Sequence, residues 1–292
     1  MEIIKSRQQM ILIAREAHRA KRTIGFVPTM GALHEGHLSL VRAARAKCDV
    51  VVVSIFVNPT QFDRPKDLDS YPRDLKRDAT LLAVEKVDYI FAPPLEEIYP
   101  REFSTYVTVE ALTNKLEGAA RPGHFRGVTT VVAILLNIVR PDVAFFGQKD
   151  SQQAVFIKQM ARDLAFDTEI VVHPIVREES GLAMSSRNEH LSEEQKRAAT
   201  VLHRALTNAD SAFENGERDP TRLVELVRQM IGQQPLIRID YVSINDAETL
   251  DEVKMLEDRA ALLSLAAFVG ETRLIDNIVL GRAQPGVVTA NA

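Results

Sequence analysis

The sequence predicts an α/β protein in which a doubly wound parallel sheet is followed by a smaller C-terminal α+β domain. Short apolar segments alternate with helical stretches up to about residue 172. The composition then turns polar over residues 177–190, and two helical stretches precede three further apolar segments. Strict alternation of strands and helices is typical of a parallel sheet, whereas grouped helices and strands are typical of an α+β unit.

The parallel sheet is predicted from five short segments that are mostly apolar. Strands of this kind are buried on both faces, so helices must cover both sides of the sheet. Right-handed crossovers place the loops that follow the strands at one edge. We therefore expect a Rossmann-like domain over residues 1–176 that binds a nucleotide at this edge. The predicted strands are 24–27, 50–57, 88–91, 143–146 and 169–172, and the helices between them include 38–47, 75–86, 128–140 and 152–164.

The second domain is expected over residues 177–292, where it would act as a lid joined by a polar hinge loop. Ser192 and Gln195 have the spacing of a capping box, which predicts the start of a long helix toward Asn215. The C-terminal segment 282–292 is mostly small or polar residues, Pro and Gly, and is expected to fray. The other predicted elements are a helix over 221–233 and strands over 236–244, 261–268 and 274–280.

Composition excludes several classes of protein. Of 292 residues, 46% are hydrophobic and 26% charged, which is ordinary for a globular protein. The net charge of −4 disfavours a broad nucleic-acid surface. The longest nearly apolar run, 128–139, is shorter than the about 20 residues of a membrane-spanning helix. Cys48 is the only cysteine, so no intrachain disulfide can form. We expect a cytoplasmic protein with small-molecule substrates and neither nucleic acid nor membrane as a partner.

The segment PTMGALHEGH (residues 28–37) lies between a predicted strand and a predicted helix. It places His34 and His37 three residues apart at the start of the helix, beside Gly31 and Gly36. Helix N-termini carry free N–H groups and partial positive charge, which favour phosphate. We interpret the segment as a triphosphate site in preference to a pair of surface histidines. Zinc is disfavoured, because metalloprotease histidines are four residues apart and no third ligand is nearby.

Two further segments offer polar groups that also have a simpler explanation. Asn58 and Gln61 follow a predicted strand and carry neutral amides that suit a hydroxy acid, although Asn-Pro is also ordinary turn chemistry. Arg121 and His124 suggest a loop that contacts an anion, and a solvated charged loop explains them equally well.

Two more segments carry groups suited to a nucleotide. Lys149 can pair with a phosphate, whereas Asp150 can either cap the following helix or hold a hydroxyl. Gln153 is expected one turn along, on the same face as Lys149. The segment 184–188 (MSSRN) offers two hydroxyls and a guanidinium, as in a mobile clamp for polyphosphate. A flexible linker would explain its serines but not its arginine.

Together, these motifs resemble those of the pantoate–β-alanine ligase family, the pantothenate synthetases. The histidine segment resembles the HIGH signature of the nucleotidyltransferase superfamily, and MSSRN takes the place of its KMSKS loop. The motifs are long, ordered and spread over nearly the whole chain. They are PTMGALHEGH (28–37), VNPTQF (57–62), YPRD (71–74), RPGHFRGV (121–128), NIVRPDVAFFGQKD (137–150), MSSRN (184–188) and RLIDN (273–277).

The resemblance implies an ATP-dependent ligase that uses Mg²⁺ and forms a homodimer. The pantoate carboxylate would attack the α-phosphate of ATP to give pantoyl adenylate and pyrophosphate. The β-alanine amine would then attack the acyl carbon and release AMP and pantothenate. The alternative is a nucleotidyltransferase of the same superfamily that acts on another small acid or a phosphorylated substrate. A module that senses nucleotide without turnover is a third interpretation.

The resemblance also implies roles for individual residues. The catalytic set would be His34, His37, Lys149 and Arg187, with His34 the candidate proton donor and no metal ligand among the side chains. Gln61 and Gln153 would hold pantoate, with Gln61 also near β-alanine, and Asp150 would contact the ribose. Arg121 and His124 would be secondary members of the site. The ATP site would comprise Met30, Gly31, Ala32, Leu33, His34, Glu35, Gly36, His37, Gly147, Gln148, Lys149, Asp150, Val176, Met184, Ser185, Ser186 and Arg187.

Overall fold

The chain divides into two compact units, Met1–His173 and Pro174–Ala292. The division falls slightly before the boundary expected from the change in composition. The computed structural model describes residues 1–63, 65–110, 112, 115–257 and 260–281, apart from the side chains of residues 119 and 120. The segment 282–292, which we expected to fray, lies outside these ranges.

The first unit alternates strands with helices, as the apolar segments predicted. Two 3₁₀ turns, Pro59–Gln61 and Gln148–Asp150, interrupt the alternation at the ends of strands. The strands are β1 (Glu2–Ile4), β2 (Ile24–Thr29), β3 (Val50–Ile55), β4 (Tyr89–Phe91), β5 (Val143–Gly147) and β6 (Glu169–His173). The helices are α1 (Arg7–Arg19), α2 (Glu35–Lys47), α3 (Pro65–Asp69), α4 (Leu75–Val84), α5 (Leu95–Ile98), α6 (Glu117–Ala120), α7 (His124–Val139) and α8 (Ser151–Asp163).

The six strands form one parallel sheet in the order β1-β4-β3-β2-β5-β6. The register sets Val27 of β2 opposite Val53 of β3, and Phe26 of β2 opposite Ala144 of β5. The chain thus adds β3 on one side of β2 and later adds β5 on the other side, so the direction of winding reverses at β2. Ligands of open α/β sheets bind outside the carboxyl ends of the strands at such a point.

Alternate residues of each strand face opposite sides of the sheet, and both sides are buried. Val27 and Val53 pack with Val41 of α2 and Leu82 of α4 in one core cluster. Phe26, which alternates with Val27, points to the other side and is also fully buried. The doubly wound sheet is therefore confirmed. β1 was not predicted, because three residues are too few to display a pattern.

The apolar run 128–139 belongs to α7, most of whose residues are buried. Its side chains include Val131, Val132, Leu135 and Leu136, all nearly inaccessible to solvent. The run is thus a core helix, as its length predicted. Among the described residues, no helix combines the length and the apolar character needed to cross a membrane.

The second unit is an α+β unit, as predicted. A 3₁₀ helix, Ser186–His190, precedes α9, and Ser192 and Gln195 form the expected capping box at the start of α9. The core brings Leu202 of α9, Val227 of α10 and Leu263 of β8 together. Strands β7, β8 and β9 form an antiparallel sheet in that order. The elements are α9 (Glu193–Glu214), α10 (Pro220–Gly232), β7 (Ile237–Asp246), β8 (Ala261–Val269) and β9 (Thr272–Leu280).

Candidate active site

The predicted site residues of the first unit follow strands β2, β3 and β5, at the edge where the winding reverses. The histidine segment follows β2, and Lys149 and Asp150 follow β5 in a 3₁₀ turn. Gln61 lies in the turn that follows β3. Because β2 is paired with both β3 and β5, the topology brings the ends of these three strands together.

His34 and His37 form a capping box at the start of α2. Helix α2 begins at Glu35, slightly earlier than predicted, and His34 is its N-cap. His34 Nδ1 accepts a hydrogen bond from the backbone N–H of Gly36 at 3.1 Å. His37 Nδ1 in turn accepts a hydrogen bond from the backbone N–H of His34 at 3.3 Å. An imidazole nitrogen that accepts cannot carry a proton, so both rings hold their proton on Nε2 when neutral.

The two imidazole rings lie side by side, with their centroids 4.1 Å apart and their planes inclined by 40°. Burial, and then the neighbouring His34, lower the pKa of His37 to about 3. The charge of Lys149 also lowers this pKa, whereas that of Asp150 raises it. His37 is therefore neutral at physiological pH and acts as an Nε2–H donor without a positive charge.

Asp78, on α4, holds the loop that connects β2 with α2. Its carboxylate accepts hydrogen bonds from the N–H groups of Ala32 at 3.0 Å and Leu33 at 2.9 Å. Asp78 is 1% exposed. Gly31 and Ala32 both have positive φ, at 83° and 51°, and a Cβ on Gly31 would lie 3.0 Å from Asp78 Oδ2. The buried carboxylate thus stabilises a backbone conformation that side chains disfavour.

These contacts correct one part of the sequence interpretation. We expected free backbone N–H groups to bind the phosphates, but the N–H groups of Ala32 and Leu33 donate to Asp78. Those of His34 and Gly36 donate to the imidazoles. The chain uses these donors internally, because a sharply turned, partly buried loop must satisfy its own backbone. The groups suited to an anion here are the Nε2–H donors of the two histidines.

The turn that follows β5 carries Lys149 and Asp150. Asp150 occupies the N-cap position of α8, a helix that the structure describes in full. Its side chain accepts no hydrogen bond from the backbone N–H groups of that helix. Of the two roles open to Asp150, helix capping is therefore wrong. The charges of Lys149 and Asp150 both act on His37, so these two residues lie near the histidine pair. Gln153 is partly buried in the first turn of α8.

The side chain of Gln61 is hydrogen-bonded to the side chain of Asn58. Asn58 Nδ2 donates to Gln61 Oε1 at 2.9 Å and to the carbonyl oxygen of Gly127 at 3.1 Å. Asn58 Oδ1 accepts from the hydroxyls of Thr60 at 2.9 Å and Tyr99 at 2.8 Å. Asn58 is 1% exposed. The neutral amides at this strand end are therefore part of a packed hydrogen-bond network. An Asn-Pro turn alone would not require these side-chain contacts.

The side chains of Arg121 and His124 contact the main chain of the same turn. His124 Nδ1 lies 2.7 Å from the carbonyl oxygen of Gln61. Arg121 Nε donates to Asp63 Oδ2 at 2.6 Å. These contacts do not fit a solvated loop. They also do not fit a loop that offers all its charges to an anion, because Arg121 is already paired with Asp63. The charge of Asp150 acts on His124 as well as on His37, so the two groups of residues adjoin.

In the second unit, Val176 and the MSSRN segment lie in one compact turn. The N–H of Met184 donates to the carbonyl oxygen of Val176 at 3.0 Å. Ser185 is the N-cap of the 3₁₀ helix, and its Oγ accepts from the N–H of Arg187 at 3.3 Å. Ser186 is partly buried, whereas Arg187 is exposed.

Two pairs of polar side chains anchor this turn. Arg177 makes a bidentate ion pair with Asp276, at 2.7 and 2.9 Å, and Asp276 is 3% exposed. Glu178 accepts a hydrogen bond from Asn188 Nδ2 at 2.8 Å. The turn is therefore tied to β9, which the interpretation as a flexible linker did not anticipate. Asp276 is the Asp of the RLIDN motif, and its ion pair with Arg177 gives that motif a structural role.

Among the described residues, no group of three or more His, Cys, Asp or Glu side chains is arranged to hold a metal ion. Asp150 is the carboxylate whose charge acts on both His37 and His124. A set of side chains with so few carboxylates is compatible with Mg²⁺ only as the ion enters with a nucleotide, where phosphate oxygens and water are its main ligands.

Comparison with known proteins identifies the family of this chain. The family model of pantoate-beta-alanine ligase matches residues 2–279. The chain belongs to the pantoate-beta-alanine ligase family. A pantothenate synthetase of Pelotomaculum thermopropionicum is 58% identical over 92% of this chain and 95% of its own. One of Thermotoga neapolitana is 52% identical over 96% of this chain and 100% of its own.

Solved structures of the pantoate-beta-alanine ligase family have the same fold. The pantothenate synthetase of Thermus thermophilus matches with a TM-score of 0.88 and 43% identity, over 95% of this chain and 99% of its own. The ligase of Francisella tularensis, described as complexed with beta-gamma ATP and beta-alanine, matches with a TM-score of 0.78 and 36% identity. It covers 96% of this chain and 97% of its own. The enzyme class predicted from the motifs, a ligase, is confirmed.

Proposed function

We propose that this chain joins pantoate to β-alanine in an ATP-dependent, AMP-forming reaction with pantoyl adenylate as the intermediate. Membership of the pantoate-beta-alanine ligase family supports the reaction. The observation that carries the assignment of residues is the His34–His37 pair, together with Lys149 and Asp150 at adjoining strand ends. These four residues therefore offer imidazole donors, a cation and a carboxylate, a combination that suits a nucleoside triphosphate.

The histidines would bind the phosphates through Nε2–H. Because His37 is neutral, it can donate a hydrogen bond to a phosphate oxygen without the cost of charging a buried ring. Lys149 would supply the positive charge, as a point charge on the phosphates. Of the two imidazoles, His34 is our candidate to donate a proton toward the departing pyrophosphate. These interactions would strengthen as charge develops in the transition state.

Gln61 and Gln153 would position pantoate. Neutral amides suit a substrate with hydroxyl and carboxylate oxygens, because they hold it without neutralising the attacking carboxylate. The network around Asn58 holds the amide plane of Gln61, which supports a positioning role. The carboxylate then attacks the α-phosphorus, pyrophosphate leaves, and the β-alanine amine displaces AMP from the acyl carbon. Alignment supplies much of the rate, so no covalent nucleophile of the protein is needed.

The remaining nucleotide contacts are proposed from the resemblance to the family. Met30 through Leu33, Glu35, Gly36, Gly147 and Gln148 would line the nucleotide, and Asp150 would hold the ribose. Val176 and residues 184–187 would complete its pocket, with Arg187 contacting phosphate, and the second unit would serve as a lid. The hydroxyls and guanidinium of this turn suit a polyphosphate.

Three further features belong to the proposal. Mg²⁺ would accompany ATP, held chiefly by phosphate oxygens and water, and would neutralise phosphate charge. The enzyme would be a homodimer, which its mass in solution tests. It would be cytoplasmic, and its one cysteine, the buried Cys48, is compatible with a reducing compartment.

The test is the release of AMP and pyrophosphate from ATP, followed with and without pantoate and with and without β-alanine. The proposal expects steady turnover only when both are present. Formation of ADP, or turnover without pantoate, would reject it. Steady turnover without an amine would favour the other nucleotidyltransferase. Binding of ATP with no turnover under any condition would favour a nucleotide sensor.

A further inference from the structure

We propose that His124, itself oriented by Arg121, is a positioning residue that holds Gln61 for pantoate binding. The inference rests on the proposed function only in taking Gln61 as a ligand of pantoate. It concerns how the backbone of Gln61 is fixed, and His124 needs no contact with the substrate. Four observations support it.

The first observation is the protonation pattern around His124. A carbonyl oxygen can only accept, so the 2.7 Å contact between His124 Nδ1 and Gln61 O requires the proton on Nδ1. In the neutral ring Nε2 is then an acceptor, and Arg121 Nη1, which can only donate, lies 3.2 Å from it. One tautomer satisfies both contacts. Burial, and then the Arg121 charge, lower the pKa of His124, which agrees with a neutral ring.

The second observation is that Arg121 is itself fixed. Its Nε donates to Asp63 Oδ2 at 2.6 Å, and its Nη2 donates to the carbonyl oxygen of Gln61 at 3.4 Å. Asp63 lies two residues beyond Gln61. The chain of contacts therefore leaves the turn at Gln61, passes through His124 and Arg121, and returns at Asp63. A closed ring of this kind restricts the main chain more than one hydrogen bond does.

The third observation is the close approach of α7, which carries His124, to the 3₁₀ turn. A Cβ on Gly127 would lie 2.5 Å from the carbonyl oxygen of Thr60 and 2.9 Å from the N of Gln61. Only glycine permits this distance. Gly127 also gives its carbonyl oxygen to Asn58 Nδ2 at 3.1 Å. The first turn of α7 is thus seated against the backbone that His124 contacts.

The fourth observation is that the side chain of Gln61 is held separately. Asn58 Nδ2 donates to Gln61 Oε1 at 2.9 Å, which fixes the amide plane from its oxygen end. Main-chain and side-chain contacts together therefore define where the Gln61 amide nitrogen points. Loss of His124 would loosen the main-chain half of this arrangement and would leave the Asn58 contact in place.

A direct role for His124 or Arg121 in binding the carboxylate of β-alanine is the competing explanation. It is disfavoured because Arg121 already pairs with Asp63, and His124 Nε2 faces the Arg121 guanidinium. The two explanations predict different kinetic effects. A positioning role changes the KM for pantoate through Gln61, whereas direct contact with the amino acid would change the KM for β-alanine.

The experiment compares His124→Phe with His124→Asn in the full-length enzyme. Asn places an amide N–H near the position of Nδ1 and can donate to the Gln61 carbonyl, whereas Phe cannot. We expect His124→Phe to raise the KM for pantoate about tenfold, the scale of one lost hydrogen bond, with little change in the KM for ATP. We expect His124→Asn to recover most of that loss. In the Gln61→Ala background, His124→Phe should add little.

Three results would overturn the inference: an unchanged KM for pantoate in His124→Phe, no recovery in His124→Asn, or a change confined to the KM for β-alanine. If His124→Phe does not fold, the ¹⁵N shifts of His124 in the wild-type enzyme decide the matter. They must show the Nδ1–H tautomer, and the Nε2–H tautomer would contradict the geometry. If Gln61→Ala leaves the KM for pantoate unchanged, the role of Gln61 in the proposed function fails, whatever the tautomer of His124.

Discussion

His37 Nδ1 accepts the backbone N–H of His34, so each histidine of the pair serves both the helix and the site. The capping nitrogen of each ring is Nδ1, and the nitrogen that carries the proton is Nε2. Helix capping and ligand binding are therefore assigned to different atoms of the same side chain. Substitutions can separate these two tasks.

The first prediction separates them at His34. Asn is a good N-cap residue, so His34→Asn should keep the thermal stability of the wild type, whereas His34→Ala should lose about 1 kcal/mol. Both variants lose the Nε2–H donor and should slow adenylate formation at least ~100-fold. Thermal unfolding and single-turnover pyrophosphate release measure the two effects. A His34→Asn enzyme with near-wild-type turnover would remove His34 from the chemistry.

The second prediction concerns Lys149, whose ammonium is proposed to act on phosphate. Lys149→Ala should lower adenylate formation at least ~100-fold, and Lys149→Arg should recover part of the loss because the charge remains. Lys158, further along the chain on α8, provides the control as Lys158→Ala. Equal turnover in Lys149→Ala and Lys158→Ala would contradict the role of Lys149.

The third prediction follows from the pKa of His37, which is lowered from 6.5 to about 3, chiefly by burial. NMR titration should show no protonation of His37 in the folded enzyme across the neutral and mildly acidic range in which histidine ordinarily titrates. The unfolded chain takes up a proton near its ordinary pKa, and the folded chain does not until about pH 3. Stability should therefore fall as the pH drops from 6.5 toward 3.

The control for the third prediction is His37→Gln, which lacks this titration and should lose less stability over the same interval. Denaturant unfolding at several pH values provides the comparison. An inflection of the His37 resonances near pH 6.5 would show that the ring is charged in the folded enzyme near neutrality.

The fourth prediction concerns Asp78, whose carboxylate accepts two backbone N–H groups of the β2–α2 loop. Asp78→Ala leaves both donors without an acceptor, the one on Leu33 buried, and should destabilise the protein by about 2–4 kcal/mol. Asp74→Asn at the start of the same helix is the control, because Asn caps a helix as well as Asp does. Similar unfolding midpoints for the two variants would mean that the loop does not depend on Asp78.

The fifth prediction concerns the second unit. Asp276→Asn breaks a buried ion pair and leaves Arg177 without its partner, which should cost about 3–5 kcal/mol. Asp240→Asn removes the more exposed pair with Arg273 on the same sheet and should cost about 1 kcal/mol or less. Unfolding followed by circular dichroism compares the variants. Equal losses of unfolding free energy in the two variants would show that the buried ion pair of Asp276 is no more important for stability than the exposed one.

Local patterns were sufficient to predict most of the fold. The strands containing Val52 and Phe145 are continuous apolar runs, and the capping box at Ser192 is legible from its own short motif. The missed elements are of two kinds. β1 is too short to display a period, whereas α1 buries Met10, Ala14 and Ala17 at helical spacing and could have been found.

The candidate site was predictable only where its residues are adjacent in sequence. His34 and His37 stand in one motif, but Asp78 lies 45 residues beyond Leu33, whose N–H it accepts. Likewise, His124 is 63 residues from the Gln61 carbonyl. Contacts of this range depend on how the chain folds back at the sheet edge, and no local spacing encodes them. The use of the loop N–H groups by Asp78 was missed for the same reason.

A single-turnover reaction of the enzyme with ATP and pantoate, in the absence of β-alanine, tests the central claim most directly. One pyrophosphate per active site should form together with bound pantoyl adenylate, and later addition of β-alanine should release AMP and pantothenate. Pyrophosphate that forms equally well without pantoate, or AMP that appears without any acyl adenylate, would contradict the account.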